Sequence, residues 1–214
     1  MIIDPPDEPT QPEELRTFLT TPIPSITPIP FVFSVRRCRE HPHTRFYLYS
    51  QNCENLLICA SLCRKTDFSR ILSMNSLEFL EDDSPWTIGQ ISGSLSEQIF
   101  IATSYFPLSK SHNKNSIRIE LSQKEKNGFV FIPIPDQNDE SCILTNPPNP
   151  QTTLTLLLRG FSCIYNNFEC FQLKKLDDME YLLFSSSPLS IFQAFCLTLV
   201  LCTQNKSRYK QLKQ

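Results

Sequence analysis

The sequence predicts a mainly β protein, a closed antiparallel β-barrel of about twelve strands threaded by a buried C-terminal hydrophobic α-helix. Short apolar or alternating runs recur from Phe31 onward with polar breaks between them, which is typical of a sandwich or barrel. The chain holds 16 phenylalanines and one tryptophan, which favours many strands with aromatic core positions. One run near the C terminus, residues 189–202, is apolar on every face, and a helix of that kind needs a closed container around it.

Residues 1–30 form a proline-rich, acidic N-terminal segment. Eight of these residues are proline, and the segment also carries five Asp or Glu residues. Such a sequence buries too little apolar surface to offset its ordering entropy, so we expect it to be extended or disordered, with room for a helical turn or two at residues 13–19. We therefore place the folded domain at residues 31–205 and expect deletion of residues 1–26 to leave the melting temperature nearly unchanged.

Strands are expected wherever an apolar or alternating run lies between polar breaks. The expected strands are Phe31–Arg37, Phe46–Ser50, Leu56–Leu62, Ser69–Met74, Trp86–Ser92, Gln98–Ser104, Ser116–Ser122, Gly128–Ile134, Cys142–Leu144, Thr152–Arg159, Phe168–Leu173 and Tyr181–Phe184. The proline-rich run at 146–150 predicts a loop, because proline cannot donate to a strand ladder.

The last apolar run predicts the central helix. Ser187 is the expected N-cap and Pro188 the first helical residue. The run is shorter than the roughly 20 residues that span a bilayer, and it contains Gln193 and Thr198, so we expect a core helix. The cations at residues 206–214 predict a basic C-terminal tail.

The sequence lacks the usual catalytic and nucleotide-binding signatures. With only 4 glycines it has neither a dinucleotide fingerprint nor a P-loop, and it contains no Gly-x-Ser-x-Gly and no His-Glu-x-x-His. We therefore expect no enzymatic activity, no catalytic residue and no cofactor. The net charge of -2 argues against a chain-wide nucleic-acid binder.

The 9 cysteines are expected to be reduced and mostly buried. Their odd number and the absence of a signal-peptide pattern favour the cytoplasm, with a disulfide framework as the weaker alternative. A zinc site is conceivable at Cys38, His41, His43 and Cys53, and Cys38 with His41 could form a catalytic dyad. The spacing matches no zinc finger or ribbon, and we expect neither a metal nor a dyad.

Several motifs resemble the tubby C-terminal domain family. The most specific is Pro188-Leu189-Ser190-Ile191-Phe192-Gln193-Ala194-Phe195, which is similar to the family's Pro-Leu-x-x-(Leu/Phe)-Gln-Ala-Phe at the start of its central helix. Upstream, Leu156–Gly160 with Phe171–Leu173 resembles the family's Leu-Asn-Phe-x-Gly and Asn-Phe-Gln-Leu pair, and Ile88-Gly89 resembles the opening of its Ile-Gly-Lys-Leu-Arg-Ser-Asn strand. The resemblance covers roughly residues 31–205 and implies a closed barrel of about a dozen strands around a hydrophobic helix.

The resemblance also implies phosphoinositide binding, since the family holds bisphosphorylated phosphatidylinositol through the Lys and Arg of that strand. In this chain those positions are Gln90 and Ser92, which cannot neutralise phosphate. The family's later Gly-Pro-Arg motif is missing, and the segment between Phe184 and Pro188 is shorter, as if a strand or long loop were lost. The candidate lipid-binding residues that remain form a local basic cluster of Lys110, His112, Lys114 and Arg118.

Two functions remain open. The first is a non-enzymatic, tubby-like adaptor in trafficking or signalling with a degenerate lipid site, for which the resemblance implies an anionic membrane and a protein cargo as partners. It would lie in the cytoplasm, peripherally at the plasma membrane or cilium. The second is a protein–protein interaction scaffold that has kept the barrel and lost phosphoinositide binding. The basic loops favour the first, whereas the loss of both cations at Gln90 and Ser92 favours the second. We expect a monomer in either case.

Overall fold

The computed structural model describes residues 12–25, 29–40, 43–51, 55–63, 68–74, 86–104, 116–122, 127–134 and 148–211, and side chains up to residue 203. Two helices and twelve strands make up the described part. The helices are α1 (Pro12–Thr20) and α2 (Ile191–Gln211). The strands are β1 (Phe31–Glu40), β2 (His43–Tyr49), β3 (Leu56–Cys63), β4 (Phe68–Ser73), β5 (Thr87–Ser94), β6 (Ile99–Ser104), β7 (Ser116–Leu121), β8 (Asn127–Pro133), β9 (Thr153–Arg159), β10 (Ser162–Tyr165), β11 (Phe168–Lys175) and β12 (Glu180–Ser185).

Each strand pairs antiparallel with its neighbours in sequence, and the first and last strands close the ring. The closing pair runs from Phe31 opposite Ser185 to Arg36 opposite Glu180. The closed twelve-stranded antiparallel barrel is therefore confirmed. The short segment before Pro188 leaves no gap between β12 and β1.

The set of strands differs from the prediction in two places. The expected strand at Cys142–Leu144 lies outside the described residues. The strand β10 was not predicted, because four residues give too short a run to show alternation. Two tight turns isolate it, with Gly160 on one side and the pair Asn166 and Asn167 on the other, all three at positive φ. An Asn-Asn pair in the left-handed region is a hairpin signal, so the sequence did contain the clue.

The first turns of α2 lie inside the barrel. No residue from Leu189 to Cys202 is more than 5% exposed, and the helix contacts β6, β7 and β12 as well as α1. The buried central helix is thus confirmed. Glycine at position 89 is required by this packing, because a Cβ there would lie 2.4 Å from the Thr103 carbonyl oxygen and 3.0 Å from Cε2 of Phe192.

The helix begins three residues later than predicted. Ser190, rather than Ser187, is the N-cap, because the backbone N–H of Gln193 donates to Ser190 Oγ at 3.2 Å. The backbone N–H of Ser190 donates in return to Gln193 Oε1 at 2.9 Å, which completes a capping box. Pro188 therefore precedes the cap instead of opening the helix.

The N-terminal segment is also ordered in part, which corrects the expectation of an extended or disordered segment. Helix α1 buries Leu15 and Leu19, which lie on one face at i and i+4 and pack into the same core as α2. Arg16 Nη2 donates to the Thr87 carbonyl at 3.1 Å, and the N–H of Ile23 donates to the Leu189 carbonyl at 3.0 Å. The helical turn or two expected at residues 13–19 is thus the helix α1, and only its packing beside α2 was not predicted.

Candidate functional site

The outer face of β5 carries the two positions where the resemblance places the lipid-binding cations. Gln90 and Ser92 are exposed. Their neighbours along the strand, Gly89 and Ile91, are buried on the face toward the helix. Ser92 lies opposite Ile101 of β6, and Ile101 lies opposite Arg118 of β7. The outer face of these three strands therefore holds one cation, Arg118, at a lateral distance of two strand spacings, about 10 Å, from Ser92.

Arg118 is not an open surface cation. It is 4% exposed, and its Nη2 lies 2.5 Å from Oε1 of Glu120 on the same strand face. A carboxylate this close balances the guanidinium charge locally. Lys110, His112 and Lys114 lie outside the described residues, so the structure does not test whether they join Arg118.

The arginine-rich first hairpin splits its charges between the two faces of the barrel wall. Arg36 faces outward and pairs with Glu180 at 3.2 Å. Arg37 is buried, and its guanidinium carbon lies 6.0 Å from the centroid of the Phe46 ring. Arg36 and Arg37, although adjacent in sequence, therefore do not form one basic patch.

Arg70 of β4 is a buried cation that the sequence did not single out. Its guanidinium carbon lies 4.8 Å from the ring centroids of both Phe46 and Phe68, and its Nη2 donates to Thr203 Oγ1 of α2. Burial lowers the pKa of Arg70 to about 9. Because Arg70 has no exposed surface, we assign it to packing of the wall against α2 and not to a binding site.

Most of the described cysteines are buried thiols. Five of the six, all except the half-buried Cys38, are buried free thiols. Burial raises the pKa of Cys59 to about 11 and of Cys170 and Cys202 to about 12, and it also raises the pKa of Cys163 and Cys196. His41, Cys53 and the side chain of His43 lie outside the described residues, among which no group of three metal-ligand side chains occurs.

An apolar strip crosses the outer face of β8, β9 and β10. Phe129 lies opposite Leu157, and Leu157 lies opposite Ile164, so their side chains stand side by side on the outside of the wall. Phe131, two residues along β8, has its ring centroid 6.3 Å from that of Phe129. We call Phe129, Phe131, Leu157 and Ile164 the outer strip. Sequence analysis missed it, because only the strand register brings these residues together.

Phe129 is the most exposed member of the outer strip, at 49%, and the other three are half-buried. Outward positions of a barrel in water are normally polar, so an aromatic ring in the middle of a strand is unusual there. The contiguous patch is a candidate interaction surface.

Comparison with known proteins gives no match, either to a family model or to a curated protein. Among the described residues, neither helix has the length and apolar character needed to cross a membrane.

Proposed function

We propose that this chain is a non-enzymatic, tubby-like scaffold whose barrel binds a protein partner through its outer face. The observation that supports this best is the character of the wall from β5 to β8. Gln90 and Ser92 are uncharged, Arg118 is bonded to Glu120, and Phe129 is exposed beside them. A surface with an aromatic centre and balanced charges suits protein contact, whereas a phosphoinositide headgroup needs several unbalanced cations.

The filled interior supports a function on the outside. Many inward apolar residues of the described strands, beginning at Phe33, belong to one hydrophobic cluster with the helix residues up to Cys202, and the helix contacts β6, β7 and β12. A small-molecule site inside the barrel would need a cavity at the place that the helix occupies. Binding is therefore expected at the outer face, which also fits the lack of a catalytic cluster among the described side chains.

A second candidate function is a phosphoinositide-associated membrane adaptor with a degenerate site. Arg118 favours it, because it lies on the same outer face as Ser92, where the resemblance places the headgroup. Lys110 and Lys114 fall between β6 and β7 in sequence and lie outside the described residues. Binding by such residual surface charge would weaken as salt increases.

Vesicle co-sedimentation distinguishes the two candidates. The purified full chain is spun with phosphatidylcholine vesicles, with and without bisphosphorylated phosphatidylinositol, at low and at physiological salt. The scaffold proposal expects the sedimented fraction at physiological salt to be the same with either vesicle. Phosphoinositide-dependent sedimentation that persists at physiological salt would overturn it in favour of the adaptor.

The scaffold proposal also requires a protein that binds the chain directly. Chemical cross-linking in the cells that make the protein, followed by mass spectrometry, gives the candidates, and each is then purified and titrated against the purified chain. Saturable binding of one purified candidate supports the proposal, and failure of every candidate to bind contradicts it.

A further inference from the structure

The outer strip has charged groups at its edges. On the neighbouring strand at one end of the strip, Glu120 of β7 lies directly opposite Phe129. At the other end, Glu169 of β11 lies directly opposite Ile164. Arg159 follows Leu157 by two residues on β9, so it leaves the same face of the wall, and it is exposed. An apolar centre with a charged rim is the usual composition of a protein–protein interface.

Two of these rim charges are open to a partner. Glu169 and Arg159 form no ion pair with any side chain in the described part of the chain, and both are exposed. Glu120 is in contrast already bonded to Arg118 at 2.5 Å. The rim thus presents one free negative charge beside Ile164 and one free positive charge beside Leu157.

We propose that the outer strip is a docking site for a protein segment with an aromatic or aliphatic anchor and charges of both signs. The anchor packs against Phe129 and Leu157, a basic residue of the segment faces Glu169, and an acidic residue faces Arg159. Arg159 and Glu169 both lie on the β9–β11 side of Phe129, so the segment is oriented by having both of its charged residues on one side of the anchor, and a reversed segment would leave both rim charges without a partner. The inference rests on the proposed scaffold function and adds the place of binding and the chemistry of the partner.

A tilted pair of aromatic rings supplies the anchor site. Phe129 and Phe131 are held on one strand at a centroid separation of 6.3 Å and an interplanar angle of 35°, so they lose little freedom on binding. Rigid, exposed aromatic rings near the centre of a patch are the residues that most often dominate an interface. Leu157 and Ile164, which are half-buried, extend the apolar floor away from the rings.

The test uses a display library of random 12-residue peptides selected on the immobilised full chain. We expect a consensus with one large apolar residue and, on one side of it, an acidic residue and then a basic residue, since Arg159 lies nearer to the anchor site than Glu169. The consensus peptide is then synthesised with a fluorescent label and titrated against the wild-type chain and its variants.

The variants change the strip and a matched site elsewhere. Phe129→Ser removes the anchor site and Glu169→Lys reverses the free acid. Their controls are Leu95→Ser and Glu97→Lys in the turn between β5 and β6, where Leu95 is 44% exposed, close to the 49% of Phe129. We expect Phe129→Ser to weaken the peptide at least about tenfold and Glu169→Lys about fivefold, with both controls within about twofold of wild type.

Several outcomes overturn the docking site. In the peptide experiment, these are recovery of no peptide and recovery of peptides that bind Phe129→Ser and wild type equally. A third is sedimentation of the wild-type chain with vesicles that Phe129→Ser abolishes. A fourth is a wild-type dimer in analytical ultracentrifugation that Phe129→Ser dissociates. The last two make the strip a membrane contact or a contact with a second copy. If a purified protein partner binds but ignores Phe129→Ser and Glu169→Lys, the scaffold function stands and only this location is wrong.

Discussion

Ser190 and Gln193 cap the central helix reciprocally, each accepting a hydrogen bond on its side chain from the backbone N–H of the other, at 3.2 and 2.9 Å. Gln193 also donates through Nε2 to the carbonyl of Ser116 at 3.0 Å. The same amide therefore closes the first turn of α2 and ties it to the start of β7. This gives a physical reason for glutamine in the Pro-Leu-x-x-Phe-Gln-Ala-Phe run.

Removing this amide should destabilise the barrel. We expect Gln193→Ala to lower the free energy of unfolding by about 2–4 kcal/mol, because it removes half of the cap and leaves the buried Ser116 carbonyl without its donor. Ser190→Ala removes only a cap acceptor and should cost about 1 kcal/mol. Urea unfolding measures both, with the exposed Gln172→Ala as the control. Equal stability of Gln193→Ala and Gln172→Ala would refute the role of the amide.

Helix α1 should contribute to stability, contrary to the expectation from its proline-rich surroundings. We expect Leu19→Ala to cost about 2–5 kcal/mol, because Leu19 is fully buried in the common core. For a chain of this size each kcal/mol lowers the melting temperature by about 2–4 °C. Differential scanning calorimetry compares it with Glu14→Ala, at an exposed position of the same helix. Coincident melting curves for the two variants would mean that α1 does not pack on the barrel in solution.

The buried thiols should resist modification until the chain unfolds. Burial raises the pKa of Cys59 to about 11 and of Cys202 to about 12, so almost no thiolate exists at pH 8, and access is blocked as well. Among the six described cysteines, we expect iodoacetamide at pH 8 to label Cys38 first, and the buried five, Cys59, Cys163, Cys170, Cys196 and Cys202, only at the rate of unfolding. Peptide mapping by mass spectrometry reads each site, with the chain in 6 M guanidinium as the fully labelled reference. Rapid native labelling of Cys196 or Cys202 would contradict the filled interior.

Cations placed at the two positions that the tubby-like resemblance assigns to lipid binding should show whether the face of β5 can hold a headgroup. Positions 90 and 92 leave the same face of the strand, so Gln90→Lys with Ser92→Arg places two cations side by side. If the rest of that face is intact, charged hydrogen bonds of about 1.5–3 kcal/mol each should raise the affinity for phosphoinositide vesicles tenfold or more.

The control for this pair is Gln151→Lys with Gln172→Lys, which adds the same charge at two other exposed positions. A gain in the first double variant alone would show a preserved headgroup surface. Equal gains in vesicle affinity for both double variants would mean that added net charge alone explains the gain. No gain for either would mean that the surface lacks more than two cations.

The barrel and its helix could be predicted because both depend on which faces are buried. Alternating runs such as Ile99–Ser104 bury every second residue, and residues 189–202 bury all of them, so composition and period suffice. The helix start could not be predicted in the same way. Ser187 fits an N-cap because proline follows it, but Ser190 is followed three residues later by Gln193, the spacing of a capping box, and the hydrogen bonds of Gln193 select Ser190.

The candidate surfaces depended on contacts that the sequence does not show. Phe129, Leu157 and Ile164 are far apart in sequence and meet only through the register of three strands. Arg118 has the residue type of a lipid-binding cation, and its spacing of two from Glu120 in a predicted strand already puts both side chains on one face, but its burial appears only in the structure. Arg70 looked like an ordinary strand residue, because its environment is formed by two rings from different strands.

The central claim is that α2 fills the closed barrel, which leaves the outer face as the place of function. Native-state hydrogen exchange of the amides at residues 195–202 tests it most directly. These amides are buried inside the ring, so they should exchange only when the whole barrel unfolds, with an opening free energy equal to the global value from urea unfolding. The turn at residues 95–98 serves as the exposed reference. Opening free energies for residues 195–202 well below the global value would contradict an enclosed helix. The barrel interior would then be accessible in the folded chain and would be a candidate binding site.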